Sequence, residues 1–198
     1  QVNAQDHHDI AKDMSEWISK IKDYTSYMSD IITAVKGQAV TLSETENVTF
    51  DVEELLKRVD ILMKHELKNA LIYLRVSLNV PEKTILHGDI NSLVQVINNM
   101  ISNSIQAYEG KPEQNIDLNI SFADNNHSIV ISIKDYGPGL SDKVKEKLFN
   151  EMITTKGKNG TGLGLYMSYS TIKAHFNGDI TFESENGKGT TFYITLPL

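Results

Sequence analysis

The chain contains no cysteine. Disulfides and thiolate metal sites are therefore excluded, and the composition suits a reducing compartment. No apolar run approaches the length that crosses a bilayer, and no stretch has the order of basic, apolar and small residues of a secretory signal. Internal repeats and low-complexity tracts are missing too. Positive charge is in the minority: 19 Lys and Arg face 26 Asp and Glu, a formal net charge of −7. That balance disfavours a general nucleic-acid surface, so no nucleic-acid partner is expected. The sign reverses between Asp142 and Lys158, where lysines 143, 145, 147, 156 and 158 outnumber Asp142, Glu146 and Glu151. What is present is a globular composition of 198 residues, enough for one domain with its own core and an appendage. The chain starts at Gln1 rather than Met, so it reads as a piece of a longer protein.

Proline and glycine are absent from Asp9 until Gly37. Over that span Ile10, Met14, Trp17, Ile21, Tyr24, Met28, Ile31 and Val35 alternate spacings of four and three. Such a heptad stripe is a narrow seam that one helix cannot bury alone. The simpler reading is a core helix of the same domain. The reading preferred here is half of a helical hairpin that dimerises through residues 9–37. A polar linker, Gly37 to Asn47, then separates residues 1–47 from a second unit, residues 48–198.

In that second unit, Val48 to Phe50 alternates like a short strand, and Asp51 can cap a helix from Val52 to about Lys68. Leu55, Leu56, Val59, Leu62 and Met63 form its apolar face. Strands are predicted at Leu71 to Leu78 and at Ile85–Leu86. A helix starts at Asp89, buries Leu93, Val96, Ile97, Met100, Ile101 and Ile105, and stops before Gly110 and Pro112. Two strands follow, about 116–122 and 128–134, around Asp124-Asn125-Asn126. A short helix is expected from Asp142 to Phe149 and another from Leu163 to Phe176. A closing hairpin turns at Asn186-Gly187-Lys188-Gly189. The predicted fold is α+β, a two-layer sandwich with a mixed sheet covered by helices on one face.

Three patterns carry chemistry. Gly160, Gly162 and Gly164 alternate, with Lys156 and Lys158 before them and an apolar helix pattern starting at Leu163. Their amides and the helix start can cradle a phosphate chain, or the run can be a plain loop. Asp135 follows the alternation of Ile129, Ile131 and Ile133, so it points to the helix side of the sheet. With Gly137 and Gly139 after it, it can read an adenine amino group, or it can be a surface Asp in a tight turn. Asn99 and Asn103 lie four apart on one helix face. An amide oxygen there can ligate Mg²⁺ beside phosphates and water, or both can be surface or capping asparagines.

Taken in order, these motifs and Gly187-Lys188-Gly189-Thr190 resemble the ATP-binding domain of sensor histidine kinases, within the group that includes DNA gyrase, the Hsp90 chaperones and MutL. The resemblance covers about Val48 to Leu198. It implies ATP and Mg²⁺ as cofactors. Asn99 and Asn103 match the N box, with Asn103 the Mg²⁺ ligand. Asp135, Gly137 and Gly139 match the first glycine box, Phe149 the phenylalanine box, and Gly160, Thr161, Gly162, Leu163 and Gly164 the second glycine box. Gly187, Gly189 and Thr190 match the last one. Residues 150–159 would form a lid, and Met152-Ile153-Thr154-Thr155-Lys156 resembles the short lids of nitrogen-regulation and sporulation kinases. Lys156 is the implied phosphate contact, with Lys158 beside it. Gln106 departs from the family, which often has a basic residue or histidine there. The absence of a glutamate at Asn99 disfavours an ATP hydrolase and favours transfer to another acceptor.

The resemblance also gives the first helix a role, as the second helix of a dimerisation and phosphotransfer hairpin. The acceptor histidine should lie on the other helix. His65-Glu66-Leu67-Lys68-Asn69 imitates the acceptor motif but ends the first helix of the ATP domain, and His7-His8-Asp9 starts the second hairpin helix. Neither is expected to accept phosphate, so the acceptor helix is expected to be largely missing from this chain. The implied partners are a response regulator and a second copy of the chain. The expected location is cytoplasmic, with membrane attachment only through parts absent here. The alternatives are an anti-sigma-type protein-serine kinase and a non-catalytic ATP-sensing dimerisation module.

Overall fold

The computed structural model describes residues 13–14, 17–18, 21, 25, 48–123, 127–146, 148 and 163–198. In the first segment Asp13, Met14, Trp17, Ile18, Ile21 and Thr25 are helical. The stripe residues Met14, Trp17 and Ile21 are 58%, 64% and 61% exposed. The remaining stripe positions lie outside the described residues, as do the linker, the turn at 124–126, Phe149 and residues 150–162.

The second unit runs β1 (Thr49–Asp51), α1 (Val52–Ala70), β2 (Tyr73–Asn79), β3 (Ile85–His87), α2 (Ile90–Ala107), β4 (Asn115–Phe122), β5 (Ser128–Lys134), α3 (Asp142–Lys145), α4 (Leu163–Phe176), β6 (Asp179–Glu185) and β7 (Gly189–Pro197). Asp51 starts α1 by accepting the amide of Glu54 at 2.8 Å, and Asp89 starts α2 by accepting those of Asn91 and Ser92. Leu71, expected to begin a strand, instead ends α1 in a left-handed conformation at φ 54°. Its amide and that of Ile72 bond back to Lys68 and Leu67, which closes the helix end.

The five-stranded sheet has the order β2-β4-β5-β7-β6, and a small antiparallel pair joins β1 to β3. β2 and β4 are parallel and the other neighbours antiparallel, so the sheet is mixed, as expected. Ile116, Leu118, Ile120, Ile129, Ile131, Ile133, Phe192, Ile194 and Leu196 are buried, while the residues between them along each strand are less so. One face is therefore covered and the other faces water. The covering layer is α1, α2 and α4, with α2 in the middle. It contributes Leu55, Leu93, Ile97, Met100 and Ile101 to the same core. Leu62 does not join them: it is 60% exposed beside Ile61, because Val59 and Met63 take the inward turns of α1.

β5 pairs with β4 on one side and with β7 on the other, ending where Lys134 lies opposite Asp117 and Thr191. The chain then leaves the sheet at Asp135, directly beside the start of β7. Gly189 sits there at φ +104°, and a Cβ on it would lie 2.1 Å from the Asp135 carbonyl oxygen. Gly110 also has positive φ (+79°) but open space around it. Replacing Gly110 with Ala should cost about 1 kcal/mol, the left-handed penalty alone. Gly189→Ala adds a clash with backbone and should cost at least about 3 kcal/mol. Urea unfolding midpoints of the two variants check this difference.

Candidate functional site

Period-two alternation carries Asp135 to the covered face of the sheet, and it is 3% exposed there. A buried carboxylate needs partners. Its Oδ1 accepts the amide of Gly137 at 2.9 Å and that of Thr190 at 3.3 Å. Its own amide donates to the Thr190 carbonyl at 2.9 Å. Among the described residues, Oδ2 has no hydrogen-bond partner. Burial pushes the Asp135 carboxyl above the usual carboxylate range, and the two amides offset part of that rise.

The segments on either side of Asp135 are tied together. A Cβ on Gly137 would lie 3.2 Å from the Ala107 side chain at the end of α2, and one on Gly139 would lie 2.4 Å from the Glu185 carbonyl oxygen. Gly187 donates its amide to the Pro138 carbonyl at 2.8 Å. The Ser184 hydroxyl accepts the amide of Leu140 at 2.8 Å and donates to the Gly189 carbonyl at 3.2 Å. The Thr190 hydroxyl, itself buried, lies 3.0 Å from it. The first and last glycine motifs are thus one packed unit around the carboxylate. What it offers is an acceptor oxygen without a partner among the described residues, which suits a neutral ligand carrying an N–H donor.

A second unit joins α2 to α4. Asn99 donates its Nδ2 to the Ser168 hydroxyl, 2.9 Å away on α4. One helical turn before Ser168, a Cβ on Gly164 would lie 2.6 Å from Asn99 Oδ1. Gly164 and Ser168 therefore hold the Asn99 amide from the same face of α4. Gly164 is needed for this close approach rather than only for loop conformation. Asn103 is half-buried one turn further along α2. α4 begins at Leu163, so the amides of its first turn and its positive dipole end lie beside Asn99.

The structure therefore brings Asp135, Gly137 and Gly139 together with Gly187, Gly189 and Thr190, and Asn99 together with Gly164. Lys156, Lys158, Gly160, Thr161, Gly162 and Phe149 lie outside the described residues. Three partners escaped the reading of the sequence: Ser168, Ser184 and Tyr108, whose hydroxyl accepts the amide of Tyr136. A serine or tyrosine at a core position of an amphipathic element is the only signal each leaves.

The raised Asp135 carboxyl has a consequence for stability. An acid whose folded-state pKa lies above its unfolded value binds more protons when folded. Its charge therefore weighs against folding at neutral pH, and that burden fades as pH falls from the raised value to the ordinary carboxylate range. Asp135→Asn keeps an oxygen for the two amides and removes the charge. The variant should melt above the parent at neutral pH, with the gap narrowing on acidification. Thermal unfolding followed by circular dichroism across pH checks both signs.

Comparison with known proteins places this geometry. Residues 88–198 match the family described as "Histidine kinase-, DNA gyrase B-, and HSP90-like ATPase". Sporulation kinase C of Bacillus subtilis is 33% identical over 180 residues, which is 91% of this chain and 40% of that relative. The chain thus spans well under half of that protein's length. Among solved structures, the catalytic domain of histidine kinase ThkA aligns with a TM-score of 0.66 and 25% identity, over 77% of this chain and 96% of that one. ThkA in complex with the response regulator protein TrrA aligns at 22% identity with a TM-score of 0.65, over 87% of this chain and 48% of that one. The match extends over more than half of the chain, and the site described above lies inside it. This chain belongs to the histidine kinase-, DNA gyrase B- and HSP90-like ATPase family.

Proposed function

We propose that residues 48–198 are the Mg-ATP-binding catalytic domain of a two-component sensor histidine kinase. Residues 1–47 then supply part of the dimerisation and phosphotransfer helix and its linker. The observation that carries this reading is Asp135, buried and bonded through Oδ1, with Oδ2 unpartnered among the described residues. Adenine fits such an acceptor, because its amino group donates while its ring needs apolar walls. The donor set also suits Mg²⁺, which keeps most of its octahedron for water and phosphate oxygens and needs little protein. Asn103 would hold it, from the α2 face that carries Asn99.

When bound, Mg-ATP would supply the γ-phosphoryl group and the charge neutralisation that in-line transfer needs. The chain's own part is binding and aim. Asp135 fixes the base. The amides of Gly160 to Gly164, with Lys156 and Lys158, stabilise charge on the phosphates. Asn99, clasped by Gly164 and Ser168, fixes α2 against the start of α4, so the metal-binding face and the phosphate-binding end move as one piece. Thr190 lines the base side through its place against Asp135. The absence of a glutamate at Asn99 disfavours activation of water and favours transfer to a protein acceptor.

That acceptor would be a histidine outside these 198 residues. His65 is exposed on α1 with Asn69 at 3.2 Å, at the end of the helix that leads into the sheet, which is no place for an exchangeable phosphoryl group. The exposed Met14, Trp17 and Ile21 support a homodimer through the 9–37 helix. A response regulator is the downstream partner, in line with the ThkA–TrrA complex. The work would be done in the cytoplasm, where ATP is found. Among the described residues no helix is long and apolar enough to cross a membrane, so attachment to the inner membrane would come through other parts of a longer protein.

Two outcomes are expected. Titration calorimetry with a non-hydrolysable ATP analogue should show binding that strengthens with Mg²⁺. Asp135→Ala should weaken it by at least roughly tenfold, as expected for losing a charge-assisted hydrogen bond. Unchanged affinity would remove the adenine assignment. Incubated with radiolabelled ATP, the chain should acquire no acid-labile label of its own. A label mapping to His7, His8 or His65 would show that an acceptor lies within it.

A further inference from the structure

We propose that Tyr108 is a positioning residue: its hydroxyl fixes the peptide plane that aims the Asp135 carboxylate, and so sets the preference of the site for a purine bearing an amino group. This rests on the reading of Asp135 as the adenine contact.

Four hydrogen bonds determine where the Asp135 carboxylate points. The peptide plane before its Cα is held by the Asp135 amide on the Thr190 carbonyl at 2.9 Å. The plane after its Cα is held by the Tyr136 amide, which donates to the Tyr108 hydroxyl at 2.8 Å. With both planes fixed, the Cα–Cβ direction is fixed. The amides of Gly137 and Thr190 on Oδ1 then set the carboxylate rotation and leave Oδ2 without a partner among the described residues. Three of these four bonds involve only backbone and Asp135 itself. The bond to Tyr108 is the one supplied by another side chain.

Tyr108 is built for this task. It follows α2 directly and is 3% exposed, with its ring in the core. Its hydroxyl donates to the Asn115 carbonyl at the start of β4 while accepting from Tyr136. A phenol has one proton to donate, so the bond to Asn115 fixes its direction and presents a lone pair to the Tyr136 amide. Burial, with the nearby Asp135 charge, pushes the Tyr108 phenol up, so the proton stays in place at neutral pH. Ala107, the preceding residue, bears on Gly137 of the same turn. The end of α2 therefore braces the turn in two places. The Tyr136 side chain points to the opposite face of the sheet, where its hydroxyl donates to Asp117 at 2.5 Å and Lys134 lies 4.8 Å over its ring. These contacts hold the Tyr136 side chain but do not orient its amide.

Tyr108→Phe removes the hydroxyl and leaves the ring. The readout is a ratio: the Kd of purine riboside triphosphate, which is ATP without its amino group, divided by that of ATP, each with Mg²⁺ on the full chain. The parent ratio should be roughly tenfold or more, the value of one charge-assisted hydrogen bond. Tyr108→Phe should lower it at least about threefold. A loss of fold stability alone lowers both affinities together and leaves the ratio standing. Asp135→Ala is measured alongside and should bring the ratio close to one. A ratio that collapses in Asp135→Ala but is unchanged in Tyr108→Phe overturns the role of Tyr108 and leaves the adenine contact intact. A ratio unchanged in Asp135→Ala overturns the adenine contact and this inference with it. Hydrogen exchange of the nucleotide-free parent tests the same bond without a variant. The Tyr136 amide should be as protected as the β5 ladder, and rapid exchange there overturns the inference.

Discussion

A half-satisfied carboxylate at the end of a buried strand face is the constraint on which the rest of this domain depends. Apolar burial at Ile129, Ile131 and Ile133 forces Asp135 to the covered side of the sheet. Once there it raises the energy of the fold unless amides reach it. Two do, and both require backbone to come close: Gly137 just after it and Thr190 from β7. The glycines at 137, 139 and 189 follow from this. A Cβ at Gly139 or Gly189 would strike backbone of a neighbouring segment, and one at Gly137 would press on Asp135 Oδ1 and Ala107. The second oxygen, unpartnered among the described residues, is a cost to the stability of the fold.

The second organising contact is the clasp of Asn99 by Gly164 and Ser168. It joins α2, the middle helix of the covering layer, to the first turns of α4. An asparagine amide is a fitting clasp because it carries a donor and an acceptor on one rigid plane. The donor is used on Ser168, and the acceptor lies against a residue with no side chain. The same α2 helix reaches the turn after Asp135 through Ala107 and Tyr108. One helix thus touches both clusters, the Asn99 clasp near its middle and the turn after Asp135 at its end. Any displacement of α2 would be felt at both clusters.

How much of this was legible in the sequence depends on the range of the contact involved. Local rules were sufficient for the caps at Asp51 and Asp89, the inward stripe of α2 and the parity that buries Asp135. Spacing was sufficient to put Asn99 and Asn103 one turn apart on α2, and parity with the hairpin signal located β5 and the β6–β7 turn. The reading failed where a local preference met a closing geometry. Leu71 reads as a strand residue by composition, yet the end of α1 needs a left-handed cap there. Leu62 fits the apolar stripe of α1 on spacing but falls outside the arc covered by α2. The hydroxyl partners were not legible for a different reason. Ser168 meets Asn99 across 69 residues and Tyr108 meets Tyr136 across 28, and neither pairing leaves a periodic trace.

The position of β5 explains why the carboxylate can be aimed at all. In the order β2-β4-β5-β7-β6 it is the central strand, hydrogen-bonded on both sides to its last residue. An edge strand is held by one ladder and can slide or fray, whereas a central one is held in register by two. Asp135 therefore starts from the stiffest point of the sheet. Only the peptide after it lies beyond the ladders, and that peptide is the one Tyr108 holds. Precision passes outward in order: two strand ladders fix residue 134, the Thr190 carbonyl fixes the amide of residue 135, and a phenol anchored on β4 fixes the next plane. A site built this way loses aim first at its outermost bond, which makes the single side-chain brace, rather than the glycines, the place where its selectivity can be tuned without unfolding the domain.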